Sequence, residues 1–427
     1  MPGLAAAWWT AIVGAIFNGL SLLDRTVIAV VLPEIRQDLG LTAFQISAVQ
    51  GISFVLFYSV MGVIIGGLVD RYSRRWIMWG SITIWSLATA AHGLVSTYRG
   101  LFAARLVVGF GEASISPAGH SMLSLNFPKD RLATPLSLFV ATGLGGTGLA
   151  YYLGGELLTY FQRASLPAPF GDLAPWRLVM IAIGLPGILI ALLAFTMNDP
   201  RDARPIEKHE LASWGEYFTY LLSHWRLFGG LMTGYAFVSI VNTATTFWAP
   251  TYARTVLGVP ADTMGKIMAV AVGVSGIVGG VAMGMITDWL TRRGVLDAPL
   301  RCLFVSAVIG MPAAAAGYLA DSPTMLYIGL AVFQATVVAT YGPMLAGIQI
   351  ISPVAMRGRM ASTVLLTATI GAFAVGPMIT GALTTYVFGD AKIGPAVATT
   401  ILIAGPIGTF FFWQARKHYI ARMQAVS

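Results

Sequence analysis

Long apolar runs recur along this chain, each about as long as a bilayer crossing and each ended by charge, proline or glycine. The pattern predicts about twelve membrane-spanning helices, at 8–32, 44–69, 76–96, 100–124, 133–160 and 176–197, then 227–250, 263–287, 299–319, 324–349, 360–387 and 393–414. Helices are expected because backbone in lipid must satisfy its own hydrogen bonds, and no period-two barrel pattern runs through the chain. One connection stands apart. Residues 198–225, "NDPRDARPIEKHELASWGEYFTYLLSHW", combine dense mixed charge with two prolines and divide the spans six and six. The expected organisation is an all-α integral membrane protein: an N-terminal six-helix bundle at 1–197, a charged cytoplasmic linker at 198–225, and a C-terminal six-helix bundle with a basic tail at 226–427.

Composition supports the same class. The 427 residues are 56% hydrophobic and only 10% charged, against about 25% charged in a soluble protein. Too little charge remains to cover a water-facing surface. The net charge of +8 has a ready explanation in basic loops. No basic run interleaved with aromatics points to nucleic acid. Cys302 is the single cysteine, so disulfides within the chain and multi-cysteine metal sites are excluded. The histidines (92, 120, 209, 224 and 418) are scattered, and neither a metal nor a cofactor is expected. "MPGLAAAWW" lacks a basic n-region, so the first apolar run reads as a permanent span.

Loop charge orients the helices. With the N-terminus inside, the cytoplasmic breaks carry Arg71, Arg74 and Arg75, Lys129 and Arg131, Arg201, Arg204 and Lys208, Arg292 and Arg293, Arg357 and Arg359, and the tail "ARKHYIARM". The opposite breaks carry fewer bases, with Glu34, Asp38, Asp172, Asp262, Asp321 and Asp390 beside them. Both termini are expected in the cytoplasm. The protein is expected to be a multi-pass protein of a bacterial inner membrane, with its basic tail meeting anionic lipid.

The two halves also repeat. "GGLVDRYSRR" follows the second span and "GMITDWLTRR" the eighth, so Gly66, Asp70, Arg74 and Arg75 coincide with Gly284, Asp288, Arg292 and Arg293 at one constant offset. Internal repeats of this kind mark secondary transporters, whose solute site lies at the repeat interface near the midplane.

"GGLVDRYSRRWIM" resembles the loop signature of the major facilitator superfamily through Gly66, Leu68, Asp70, Arg71, Arg74 and Arg75, with Ser73 in place of the second glycine. "RLVVGFGEAS" in the fourth span is similar to the same family's arginine–glycine pattern at Arg105, Gly109 and Gly111. A narrower resemblance covers mainly the first half: "LDRTVIAVVLPEI", "WSLAT", "GEAS" and "GLAYYLGG", then "FWAP" at 247–250, look like the spinster-type branch, which includes lysolipid and sphingolipid-phosphate transporters. Later stretches, "ISPVAMRGRMAS" and "AVGPMITGAL", look like the wider superfamily, including organic-anion permeases. The fifth span has Gly143, Gly145, Gly146 and Gly148 but no Gly-Pro pair, so the family's antiporter signature is not met.

Asp24 and Arg25 stand side by side inside the first span, where insertion scales charge roughly 2.5–3.5 kcal/mol for each such residue at a helix centre. On the fourth span Arg105 and Glu112 lie two turns apart on one face, with Ser116 beyond them. In the superfamily's arrangement the first and fourth spans line one cavity, so two acids and two arginines compensate one another there. Burial favours a neutral carboxyl and a neighbouring arginine favours a charged one. The quartet Asp24, Arg25, Arg105 and Glu112 is therefore expected to couple protons, with Glu112 titrating and Asp24 pairing with Arg105. A static ion-pair lock is the alternative. Arginine also suits a bidentate anionic group.

The family match implies a cytoplasmic gate of Gly66, Asp70, Arg71, Arg74 and Arg75, mirrored by Asp288, Arg292 and Arg293. Polar stripes at helical spacing nominate solute contacts: Asn18, Ser21 and Arg25 in the first span, Ser116 in the fourth, Tyr235, Ser239, Asn242 and Thr246 in the seventh, and Gln334 and Tyr341 in the tenth. Each can equally knit helices together. His120 reads as an inter-helix histidine, Trp248 and Tyr252 as interfacial anchors, and Glu156 and Lys266 as residues snorkelling at outer ends. No Gly-x-x-x-x-Gly-Lys-Ser/Thr run and no His-Glu-x-x-His pattern occurs, so an enzyme is not expected. The function expected is a proton-coupled secondary transporter, acting as a single chain on an anionic or amphipathic organic solute. An organic-acid permease, a lysolipid-type carrier, a general efflux pump and a transport-inactive sensor stay open.

Overall fold

The computed structural model describes residues 3–128, 132–199, 213–353 and 356–426. Among these the secondary structure is helical, with no strand. Ten stretches are long and apolar enough to cross a membrane: Leu4–Val30, Ala43–Gly62, Thr134–Arg163, Pro175–Thr196, Trp225–Thr255, Ala261–Arg292, Ala298–Leu319, Pro323–Leu345, Ser362–Phe388 and Asp390–Ala425. The helix Arg74–His92 and the pair Tyr98–Glu112 and Ile115–Asn126 occupy the third and fourth expected positions. The twelve-span reading therefore holds, and the spans are numbered one to twelve below.

Breaks between spans carry the local chemistry that ends and restarts helices. After span one, a short helix Leu32–Leu39 starts with Pro33 in its first turn and ends at Gly40, whose φ of 62° suits a residue without a Cβ. Span two then opens on a capping box: Thr42 accepts from the Gln45 N–H while Gln45 accepts from the Thr42 N–H. Span four is broken in its middle. Its first helix ends at Glu112, Ser114 Oγ bonds back to the Gly111 carbonyl, and a second helix begins at Ile115. Wide π-type turns interrupt span eight at Ala269–Val274 and span eleven at Ile370–Val375 and Thr384–Phe388.

The spans gather in two compact units. The first comprises Met1–Arg204 with Pro250–Val274, and the second Pro205–Ala249 with Ser275–Ser427. In the first, a Cβ on Gly146 would sit 2.0 Å from the Gly19 carbonyl oxygen, so spans one and five touch backbone to backbone. Gly155 and Gly265 make the same kind of approach between spans five and eight, against Ala261 and Tyr151. In the second unit Gly329 lies against the Ala313 backbone and Gly371 against Ala236. Of the glycines at 276–284, only Gly279 packs this tightly, against Ala335, while Gly276, Gly280 and Gly284 face open space.

Two residues depart from their expected place. Trp248 and Tyr252 are not interfacial anchors: both are buried, and the Trp248 indole donates to the Pro377 carbonyl at 3.4 Å. Their "FWAP" setting is helix-packing surface, because span seven buries much of its circumference.

Candidate functional site

The charged quartet of the first unit forms one buried cluster. Arg25 donates from Nε (3.0 Å) and Nη2 (2.6 Å) to Glu112 Oε2, and Ser21 Oγ donates to the same oxygen at 2.9 Å. Arg105 donates from Nη2 to the Gln50 side-chain oxygen and to the Arg25 carbonyl, both at 2.9 Å, and Gln50 Nε2 reaches that carbonyl at 3.2 Å. The Trp85 indole donates to Asp24 Oδ2 at 2.8 Å. The Phe54 ring lies 4.5 Å from the Arg25 guanidinium and 5.2 Å from that of Arg105, and Tyr58 lies 5.0 Å from Arg25.

These partners change the expected pairing. Asp24 was expected to meet Arg105; instead it takes a hydrogen bond from Trp85, and Arg25 is the ion-pair partner of Glu112. The reason lies in rotation about the helix axis. Adjacent residues on span one point about 100° apart, so Asp24 faces span three while Arg25 faces span four. Close approach makes both contacts possible. A Cβ on Gly109 would sit 2.4 Å from the Phe54 carbonyl oxygen, and one on Gly111 2.8 Å from Trp85 Cβ, so spans two, three and four converge here.

Burial within the cluster is uneven. Asp24, Arg105 and Glu112 are at most 1% exposed, whereas the Arg25 side chain keeps 12% of its surface. Asp24 Oδ1, Glu112 Oε1, Arg105 Nε and His92 Nε2 find no hydrogen-bond partner among the described residues. Buried polar groups left without a partner in this way are costly. Gln50, Phe54, Trp85 and His92 were not singled out from the sequence. Only a polar Gln50 and a His92 inside apolar runs offered any signal, and neither names a partner.

The expected solute stripe divides. Asn18 is engaged with the Phe139 carbonyl at 2.7 Å and knits spans one and five. Ser116 is half-buried beyond Glu112. In the second unit Tyr235 donates to the Tyr341 carbonyl at 2.9 Å, Ser239 and Tyr341 share a hydroxyl contact at 3.2 Å, and Gln334 donates to Asn242 at 3.3 Å. Thr246 donates to the Asn242 carbonyl. Spans seven and ten therefore bring Tyr235, Asn242, Gln334 and Tyr341 together. His120 lies apart, with its ring 5.4 Å from Phe139.

Of the expected gate residues, the side chains of Gly66, Asp70 and Arg71 lie outside the described residues. Arg74 pairs with Asp199 (Nη1 to Oδ1, 3.2 Å), whose other oxygen accepts from the Arg74 N–H at 3.0 Å. Arg75 is half-buried, and Asp288, Arg292 and Arg293 are exposed, with Arg293 stacked 3.9 Å over the Trp289 ring. An unforeseen partner set appears in the second unit: the buried Asp297 accepts from Arg301 Nε at 2.8 Å and from Arg416. Arg74–Asp199 and Asp297–Arg416 each join the start of a half's third span to the end of its sixth, with the charges exchanged between halves. Glu156 and Lys266, expected to snorkel separately, meet at 2.8 Å, and Arg254 donates to both oxygens of Glu34 and to the Val30 carbonyl.

Comparison with known proteins agrees with this architecture. The chain is 25% identical over 425 residues to an MFS-type efflux pump of Mycolicibacterium smegmatis, covering 98% of this chain and 94% of that one. It is 29% identical over 250 residues to the spinster protein of Drosophila melanogaster, spanning 57% of this chain but only 38% of that relative. The fold matches a crystal structure of a bacterial homolog of the human lysosomal transporter Spinster, inward-facing and unoccupied, with a TM-score of 0.79 at 23% identity over 99% of this chain and 98% of that one. The family profile of the Major Facilitator Superfamily matches residues 14–376. A twelve-span chain with the superfamily's loop repeat, its fold and its profile belongs to the Major Facilitator Superfamily of membrane transporters.

Proposed function

We propose that this protein is a proton-coupled secondary transporter that moves an anionic or amphipathic organic solute by alternating access. The observation that carries the reading is the Arg25–Glu112 pair: Arg25 holds a buried carboxylate while part of its own side chain remains exposed. Protonation of Glu112 removes the charge that Arg25 serves. Arg25 then takes a solute anion bidentately. Deprotonation reverses the exchange, so proton and anion occupy the cluster together or not at all. Asp24 and Arg105 keep the cluster's formal charge balanced around this exchange; Ser116 in the first unit, and Tyr235, Asn242, Thr246, Gln334 and Tyr341 in the second, are each candidate polar contacts to the solute.

Rocking of two six-helix bundles accompanies the exchange. Glu34–Arg254 and Glu156–Lys266 tie the outer ends of spans seven and eight to first-half sequence, and they act as the outer clasp. Asp70, Arg71, Arg75, Asp288, Arg292 and Arg293 act on the cytoplasmic side. Loop charge supports both termini in the cytoplasm of a bacterial inner membrane, and a single chain suffices for the cycle.

Purified protein in proteoliposomes tests the reading. A panel of short organic acids and lysolipids is offered with and without an imposed pH gradient. Proton-driven accumulation of an anion by wild type, lost in Glu112→Gln while solute exchange without a gradient persists, is the expected result. Accumulation by Glu112→Gln at the wild-type level would show the quartet to be a structural lock.

A further inference from the structure

On the second unit, a cavity of about 480 Å³ opens between the start of span seven and the end of span twelve. Arg226, Arg422, His224 and His418 line it together with Trp225, and none of its lining residues is acidic. Arg25, Arg74, Arg177, Arg254, Arg301 and Arg416 each meet a carboxylate. Among the described residues Arg226 and Arg422 meet none; Arg422 Nε donates to the Ile351 carbonyl at 3.1 Å, and Arg226 lies over the Trp225 ring. His224 uses Nδ1 on the Tyr220 carbonyl and Ser223 hydroxyl, which leaves its Nε2 unspent on these contacts.

The helix Trp214–Ser223 runs directly into this cavity's wall. One face is anchored: Tyr217 is buried and its hydroxyl meets Thr363 Oγ1 at 2.5 Å. The other carries Trp214, Phe218 and Leu222, each more than half exposed and spaced four residues apart, and the exposed Trp225 follows at the start of span seven. That spacing is one helical stripe. An apolar stripe that starts at a tryptophan, ahead of a membrane span that opens on another, suits a helix lying in the lipid interface.

We propose that this cavity binds the headgroup of an anionic phospholipid, with its phosphodiester between Arg226 and Arg422 and its acyl chains against the exposed stripe. The site belongs to the protein's lipid contacts and is separate from the buried quartet, so it stands whether or not the transport reading does. Cation-rich pockets beside membrane helices take anionic headgroups through charge, at roughly thirtyfold in affinity for two arginines. A bound lipid would join the start of span seven to the end of span twelve.

Native mass spectrometry of the full chain, delipidated in detergent and titrated with phosphatidylglycerol or phosphatidylcholine, tests this. One phosphatidylglycerol is expected to bind preferentially, and Arg226→Gln with Arg422→Gln to weaken it roughly thirtyfold without lowering the thermal midpoint in phosphatidylcholine. Equal retention of both lipids, or unchanged retention by the double variant, overturns the proposal. Displacement of the lipid by millimolar inorganic phosphate assigns the pocket to free phosphate and overturns it too. If the double variant does not fold, wild type still decides: brominated phosphatidylglycerol must quench tryptophan saturably at lower mole fraction than brominated phosphatidylcholine, and equal quenching overturns the assignment.

Discussion

Trp85 donates its indole N–H to Asp24 at 2.8 Å, joining span three to the acid beside the Arg25–Glu112 pair. Asp24 thereby has a neutral donor on one oxygen and no partner on the other among the described residues. Removing the donor leaves a buried acceptor unmet, at about 1–3 kcal/mol. Trp85→Phe should lower the thermal midpoint and slow proton-driven uptake. Asp24→Asn in that background should cost less than it does alone, because the two act through one contact. Additive losses in the double-mutant cycle would mean that the bond is incidental.

Arg25 and Glu112 hold each other in a dry interior, where removing one partner strands the other at roughly 3–5 kcal/mol. Arg25→Ala should destabilise the protein by that order, while Arg25→Met with Glu112→Leu should recover much of it. Thermal unfolding measures both. Neither variant should couple a pH gradient to uptake. A double variant that still couples would remove the pair from the mechanism.

Asp297 gives a pH dependence outside the membrane spans. Burial pushes its carboxyl up, but hydrogen bonds and charge from Arg416 and Arg301 outweigh it, and the carboxyl sits below its ordinary range. An unfolded aspartate titrates near pH 4. The folded value being lower, the clamp contributes its full stability above that range and loses it as pH falls through the folded value. Asp297→Asn should be less stable than wild type at pH 6, and the difference should shrink progressively as pH falls below the ordinary aspartate range. Midpoints measured across that window check the sign; a gap that widens with acid contradicts it.

Glycine substitutions separate contact from spacing. A Cβ on Gly109 would meet the Phe54 carbonyl oxygen at 2.4 Å, while one on Gly280 would find nothing within 4 Å. Gly280→Ala should be neutral or stabilising by up to about 1 kcal/mol through helix propensity. Gly109→Ala should push span four from span two and lower both stability and transport. Comparable thermal midpoints for the two would show that span four has room to move.

Glu34 and Arg254 tie span seven to the segment after span one. Glu34→Gln should speed exchange by loosening that tie, and exchanging the two charges, Glu34→Arg with Arg254→Glu, should restore the wild-type rate. Counterflow rates report this directly. No recovery in the exchanged pair would mean that geometry, rather than charge, holds the contact.

The chain's covalent pattern by itself determined the class, the span count, the repeat and the identity of the buried charges. Apolar length against bilayer thickness is a local property, and an aspartate beside an arginine in such a run is visible without any partner. Which charge meets which was decided only by the tertiary structure. Same-face spacing places Arg105 with Glu112 on span four, but the rotation and depth of span one beside it depend on backbone approach at Gly19, Gly109, Gly111 and Gly146. Trp85 and Gln50 became visible only there, since a neutral donor in an apolar helix carries no mark of its acceptor. Asp297 and Arg416, far apart along the chain, likewise met because two helix ends converge. Burial energies act on the assembled surface, and no pattern read along one helix contains the orientation of its neighbour.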